Sequence, residues 1–211
     1  MSTVVPQSNA ARGDFTPFVA KMSAAGLPAI FIDTFRFYYD QLVHGATGFI
    51  DRTEAGVVDT LPDYDAFGPA EYEYGQRALD RAVVLKLIGG LGTSMGMNGP
   101  KSLLTVKQGL SFLDIIVNQV LYLREVTGAR LPLICMNSFS THADTLAALD
   151  RYPRFQPDVP LDFVQHKQPK VWKETLAPAE WPADPENFLY QPGNSDIYTA
   201  LVTSGMLDRL L

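Results

Sequence analysis

The sequence predicts an α/β fold: a mainly parallel sheet flanked by helices, preceded by a helical leader. Three observations carry that prediction. Strand-length stretches rich in apolar residues recur at 82–88, 131–136 and 161–165. Segments with apolar residues at three- and four-residue spacing separate them, the alternation expected of a parallel sheet. A glycine-rich loop follows the first stretch, at the end of a strand where such sheets bind ligands.

Taken in order, residues 1–12 read as a loose tail. Phe15, Phe18, Val19 and Met22 then fall at helical spacing. Gly26 can end that helix and Pro28 can open the next. Phe31, Phe35, Tyr38, Tyr39 and Leu42 give the second helix an apolar stripe, closed by Gly45. Buried aromatics are common, so this stripe reads as core packing rather than a ligand platform. Residues 45–80 carry Pro62, Pro69 and scattered Gly with no clear period. They read as an extended leader wrapped over the body.

The first strand is expected at 82–88. Ser111 with Asp114 forms a capping box ahead of Phe112, Ile115, Ile116, Val120 and Leu123. Gly128 ends this helix. The second strand is expected at 131–136, and Thr141 with Asp144 caps a third helix through Leu149. The third strand follows at 161–165, then a stretch with Pro and Trp over 169–193. Ser195 or Asp196 starts a last helix that runs to Leu211. Asp196 reads as its cap, with a metal-site neighbour as the other reading. Leu207, Leu210 and Leu211 leave apolar residues in the last turn, so the chain is expected to be the front part of something longer. The organisation is therefore a leader with an acidic segment at 1–80 and an α/β body at 81–211.

Composition excludes several classes. The chain has 211 residues, 46% hydrophobic and 19% charged, too apolar for disorder over most of its length. Cys135 is the one cysteine, so no internal disulfide forms. It lies in an apolar run and reads as a packed core residue. His44, His142 and His166 stand far apart and make no ligand cluster in sequence. The net charge of −6 arises in residues 44–80, where eight acids face two bases. No basic stripe exists for nucleic acid. No targeting segment or membrane-length apolar run is visible, which makes the cytoplasm the expected location.

The chemistry concentrates in the run from Leu87 through Ile88, Gly89, Gly90, Leu91, Gly92, Thr93, Ser94, Met95, Gly96, Met97, Asn98, Gly99 and Pro100 to Lys101 and Ser102. Glycines let backbone N–H groups approach a phosphate, and a following lysine adds a point charge. Two common motifs do not fit. A dinucleotide fingerprint read from Gly90 needs glycine where Met95 stands, and a P-loop needs glycine where Pro100 stands.

The run resembles the signature of the UTP–glucose-1-phosphate uridylyltransferases, the UDP-sugar pyrophosphorylase family. The similarity extends through Phe112-Leu113-Asp114, Met136-Asn137-Ser138-Phe139, Gln165, Pro169, Pro192 to Tyr198, and Ser204 to Asp208, with Ala25-Gly26-Leu27-Pro28 in the leader. It covers nearly the whole chain. The sibling N-acetylhexosamine pyrophosphorylases have Arg where Ser94 stands.

That resemblance implies a GT-A-like, Rossmann-like fold, with 81–211 as the N-terminal part of a nucleotidyltransferase domain. It implies a magnesium-assisted transfer of a uridylyl group from UTP to glucose 1-phosphate. Leu87, Ile88, Gly89 and Gly90 would hold the nucleotide through backbone groups. Lys101 would neutralise the triphosphate as pyrophosphate leaves. Gln165 would read the uracil edge, Gly193 would lie against the base, and Asn194 would face the sugar phosphate. No metal ligand is assigned within the chain. Ile88 stands where the family has Asn, and Asn194 and Ser195 stand where it has His and Gly. The alternatives are a non-catalytic or truncated nucleotide-binding module lacking the metal centre, or a related enzyme using another sugar phosphate. The 211 residues alone are expected to be inactive.

Overall fold

The computed structural model describes residues 13–152, 159–181 and 189–211. The tail at 1–12 and residues 182–188 of the stretch with Pro and Trp lie outside them. In chain order the elements are α1 (Thr16–Ala24), α2 (Ala29–Val43), α3 (Pro69–Ala78), β1 (Val84–Leu87), β2 (Thr105–Lys107), β3 (Leu110–Ser111), α4 (Phe112–Thr127), β4 (Leu133–Asn137), α5 (His142–Leu149), β5 (Asp162–Val164), β6 (Gln168–Pro169), β7 (Leu189–Tyr190), α6 (Ile197–Thr203) and α7 (Met206–Leu210). They fall into two compact units. A sheet unit holds residues 51–164 and 204–211; a helical unit holds Gln165–Thr203 with the described residues up to Ile50. These boundaries differ from the sequence division at residue 80, because α1 and α2 share a core with residues near Leu176, far along the chain.

In the sheet unit, β1, β4 and β5 form a parallel sheet in the order β1-β4-β5. Val84 pairs with Leu133, and Cys135 with Asp162. The central strand β4 is buried along its whole length, which is why Leu131–Met136 reads as a continuous apolar run. Leu113, Val117 and Val120 from α4 and Ala148 and Leu149 from α5 pack into the same core. Cys135 sits there as expected, its thiol pushed up to about 12 by burial first and by the nearby Asp162 carboxylate second.

The capping box of α4 forms as the sequence predicts. Asp114 N–H donates to Ser111 Oγ at 3.2 Å, and Ser111 N–H donates to Asp114 Oδ2 at 2.8 Å. Gly128 closes the helix at φ 70°.

Three expectations are corrected. The segment 45–80 contains α3, opened by Pro69 and held by Gly68 N–H donating to Glu71 Oε2 at 2.9 Å. It buries no residue, so it has no apolar stripe for a periodicity reading to find. Thr141 occupies the cap position of α5 without capping it. Its hydroxyl accepts from Ser138 N–H at 3.0 Å and donates to Asn137 Oδ1 at 3.2 Å, because the preceding loop claims it. The last helix is two helices, α6 and α7, broken at Gly205 with φ 71°.

The helical unit has its own aromatic core. Phe15, Phe18, Met22, Phe31 and Tyr39 pack with Leu176, and the Phe18 and Tyr39 rings lie 4.9 Å apart. Tyr39 OH donates to Leu176 O at 2.9 Å. Most of the expected stripe is core, but Tyr38 is 61% exposed and Leu42 43%. No helix among the described residues is long and apolar enough to cross a membrane.

Candidate functional site

The glycine-rich loop leaves the sheet at the carboxyl end of β1. Ile88 N–H donates to Met136 O at 2.9 Å, extending the ladder one residue beyond the strand. Its side chain is buried in the core, so a side chain at this position faces away from the loop. The loop then folds back on itself. Gly92 N–H donates to Gly99 O at 2.9 Å, Leu91 bridges Pro100, and Lys101 N–H donates to Gly90 O at 3.1 Å. This neck returns Lys101 to the side of Gly90. Gly92 is required there: a Cβ would lie 2.7 Å from Met97 Cβ. The tip turns through Thr93–Met95 and Gly96, which sits at φ 70°.

Leu87, Ile88, Gly89, Gly90 and Lys101 are thus brought together in the sheet unit. The Lys101 side chain is exposed. Among the described residues no carboxylate pairs with it. Ser102 and Thr145 each bury a hydroxyl with no partner among the described residues.

Gln165, Gly193 and Asn194 belong to the helical unit. Gln165 is 5% exposed, and its Oε1 has no hydrogen-bond partner among the described residues. An acceptor buried in that way costs about 1–3 kcal/mol unless a ligand donor meets it. Gly193 has φ 89° and ψ −163°, a conformation almost confined to glycine. Among the described residues nothing lies within 4 Å of where its Cβ would stand. Asn194 is exposed at the start of a 3-10 turn, Asn194–Asp196.

Asp196 is corrected. Its carboxylate bonds to His166 instead of capping α6. Its Oδ2 accepts from His166 N–H at 2.7 Å, and its two oxygens lie 2.9 and 3.0 Å from His166 Nδ1. His166 Nε2 lies 3.0 Å from Thr203 Oγ1, and Phe31 stacks on the imidazole at 4.3 Å. His166 was missed because a pair thirty residues apart leaves no local pattern.

At the carboxyl ends of β4 and β5, Asn137 Nδ2 donates to Asp162 Oδ2 at 2.8 Å, and His142 Nδ1 lies 2.6 Å from the same oxygen. Asn137 and Ser138 therefore brace the loop after β4. Magnesium usually takes one or two carboxylates plus substrate phosphates rather than a full protein cage. Among the described residues no three His, Cys, Asp or Glu gather as a metal site.

Comparison with known proteins gives one consistent answer. A family model described as UTP–glucose-1-phosphate uridylyltransferase matches residues 30–211. The chain is 41% identical over 156 residues to the UTP–glucose-1-phosphate uridylyltransferase of Solanum tuberosum, covering 72% of this chain and 32% of that protein. It is 36% identical over 185 residues to the probable enzyme of that name in Schizosaccharomyces pombe, covering 86% and 36%. A solved UDP-glucose pyrophosphorylase of Leishmania major, in complex with UDP-glucose, superposes with a TM-score of 0.84 at 38% identity, covering 96% of this chain and 42% of that one. The chain spans about a third of the length of these curated relatives.

Proposed function

The chain belongs to the UTP–glucose-1-phosphate uridylyltransferase family, and we propose that it serves the transfer of a uridylyl group from UTP to glucose 1-phosphate. In this reaction an oxygen of the sugar phosphate attacks the α-phosphorus. The bond from that phosphorus to the bridging oxygen breaks, and pyrophosphate leaves with the electron pair. Such a transfer asks the protein for position and charge rather than a covalent nucleophile.

The observation that carries this reading is the buried, unpartnered Oε1 of Gln165. A uracil edge presents an N–H donor between two carbonyl acceptors. The Gln165 amide has the matching acceptor and donor. Gly193 leaves open space for the flat face of the base. On the sheet unit, Leu87 to Gly90 offer backbone to the phosphates, and the exposed Lys101 ammonium offsets their charge. Asn194 would meet the sugar phosphate with an amide. A magnesium ion, when bound, would neutralise the triphosphate. The cytoplasm suits a chain whose one cysteine is a buried free thiol.

Calorimetric titration with UTP tests the reading. Lys101→Ala is expected to weaken binding by about 1.5–3 kcal/mol, the scale of a charged hydrogen bond. UTP is expected to bind ahead of CTP, and Gln165→Ala to erode that preference. Equal UTP affinity in the wild type and Lys101→Ala, or a purine nucleotide preferred in competition, would end the assignment.

A further inference from the structure

We propose that Asp196 is a positioning residue for base recognition, acting through two main-chain peptides that carry Gln165 and Gly193. This inference rests on the reading of Gln165 and Gly193 as the uracil-contacting residues. Asp196 touches no substrate atom in that reading. Its side chain is 1% exposed and is spent on one neighbour.

The geometry is specific. His166 N–H belongs to the peptide that joins Gln165 to His166, and it donates to Asp196 Oδ2 at 2.7 Å. That bond fixes the peptide plane directly attached to the Gln165 Cα. Asp196 N–H in turn donates to Gly193 O at 3.3 Å, the carbonyl of the peptide that joins Gly193 to Asn194. One residue therefore holds both base-contacting positions, one through its carboxylate and the other through its backbone.

The imidazole keeps the carboxylate in place. His166 Nδ1 meets both oxygens of Asp196, while Nε2 reaches Thr203 Oγ1 at 3.0 Å. Thr203 Oγ1 donates to Thr199 O at 2.9 Å, which ties the arrangement to α6. Phe31 of α2 closes one face of the ring, with its plane 21° from that of the imidazole. A buried carboxylate with charge-assisted bonds has little freedom to move. A Gln side chain can discriminate bases only if its amide is held in one orientation, since a loose amide can present its N–H₂ or its oxygen to either edge.

The test measures UTP and CTP affinity together with melting temperature in the full chain. Asp196→Ala is expected to reduce the UTP-over-CTP preference tenfold or more. Asp196→Asn keeps one acceptor for His166 N–H and is expected to lose about threefold, so it carries the test if the alanine variant does not fold. Hydrogen exchange at the His166 amide should speed up in the same order. A purely structural role would lower melting temperature and weaken UTP and CTP alike, leaving their ratio unchanged. An unchanged ratio in both variants, beside a wild type that prefers UTP, overturns this inference alone. A wild type without a UTP preference overturns the reading of Gln165, and this inference with it.

Discussion

Two buried aspartates organise the two units, and they do it by different routes. Asp114 in the sheet unit gathers donors from its own turn and from the end of α5. Ser111 N–H and Oγ–H reach Oδ2 at 2.8 and 2.7 Å, while Tyr152 OH and Arg151 Nη2 reach Oδ1 at 2.6 and 2.9 Å. Asp196 in the helical unit spends its side chain on His166, thirty residues earlier. In sequence both look alike: an acidic residue at a helix start. The difference teaches that a cap is legible when its partner is three residues away and illegible when its partner arrives by folding.

The largest expected effect tests the first aspartate. Asp114→Ala leaves the buried Ser111 N–H and the Tyr152 hydroxyl without their acceptor, and removes the counter-charge of Arg151. We expect a loss of about 3 kcal/mol in denaturant unfolding, the range for breaking a buried charged network. A loss below about 1 kcal/mol would mean that Asp114 is an ordinary cap and the contrast with Asp196 is smaller than drawn.

The same residue gives a pH dependence. Burial pushes the Asp114 carboxyl up, but hydrogen bonds from Tyr152 and Ser111 and the charge of Arg151 outweigh it and hold it below its ordinary 3.8. A carboxylate depressed in the folded state adds stability above its unfolded pKa, and that stability is lost as pH falls through the folded pKa. Lowering pH from about 5 toward 2 should therefore destabilise the wild type more than Asp114→Asn, which has nothing there to protonate. Parallel pH–stability curves for the two proteins would refute it.

Gly193→Ala probes the helical unit through its backbone. With φ at 89° and ψ at −163°, any Cβ is strained even though nothing crowds it. The expected cost is about 1–3 kcal/mol in thermal or denaturant unfolding. Because Asp196 N–H holds the Gly193 carbonyl, this substitution should also reduce the UTP-over-CTP preference. A stability loss without any change in that ratio would separate the turn from base recognition.

The smallest effect isolates the local part of the cap. Ser111→Ala removes one acceptor for the Asp114 N–H and one donor to its carboxylate, with an expected loss of about 1 kcal/mol. No loss would show that the network needs only the main-chain N–H of residue 111, Tyr152 and Arg151.

Much of the fold was legible because its signals are short-range. The α4 capping box, the Gly128 and Gly26 stops, the continuous apolar run of β4 and the alternation of strands and helices all depend on neighbours within a few residues. The glycine-rich loop was legible for the same reason: Gly92 and Gly96 are dictated by turns inside the loop itself. The α3 helix was not legible, since a helix with no buried face writes no period into its sequence. The break at Gly205 was missed because a single glycine is a weak signal beside the helical spacing of Leu201, Leu207 and Leu210 around it.

By itself, then, the sequence determined the order of strands and helices, the position of the glycine-rich loop and the family to which its motifs belong. These follow from backbone preferences and hydrophobic periods, which act along the chain. Only the tertiary structure decided that Asp196 clamps His166 instead of capping α6. It likewise decided that Thr141 braces the loop after β4, that the Ile88 side chain points into the core, and that the Gln165 oxygen is buried without a partner among the described residues. Each depends on which side chain folding brings within about 3 Å of a polar group. A hydrogen-bonding side chain takes the partner that burial leaves it, and no local rule names that partner in advance.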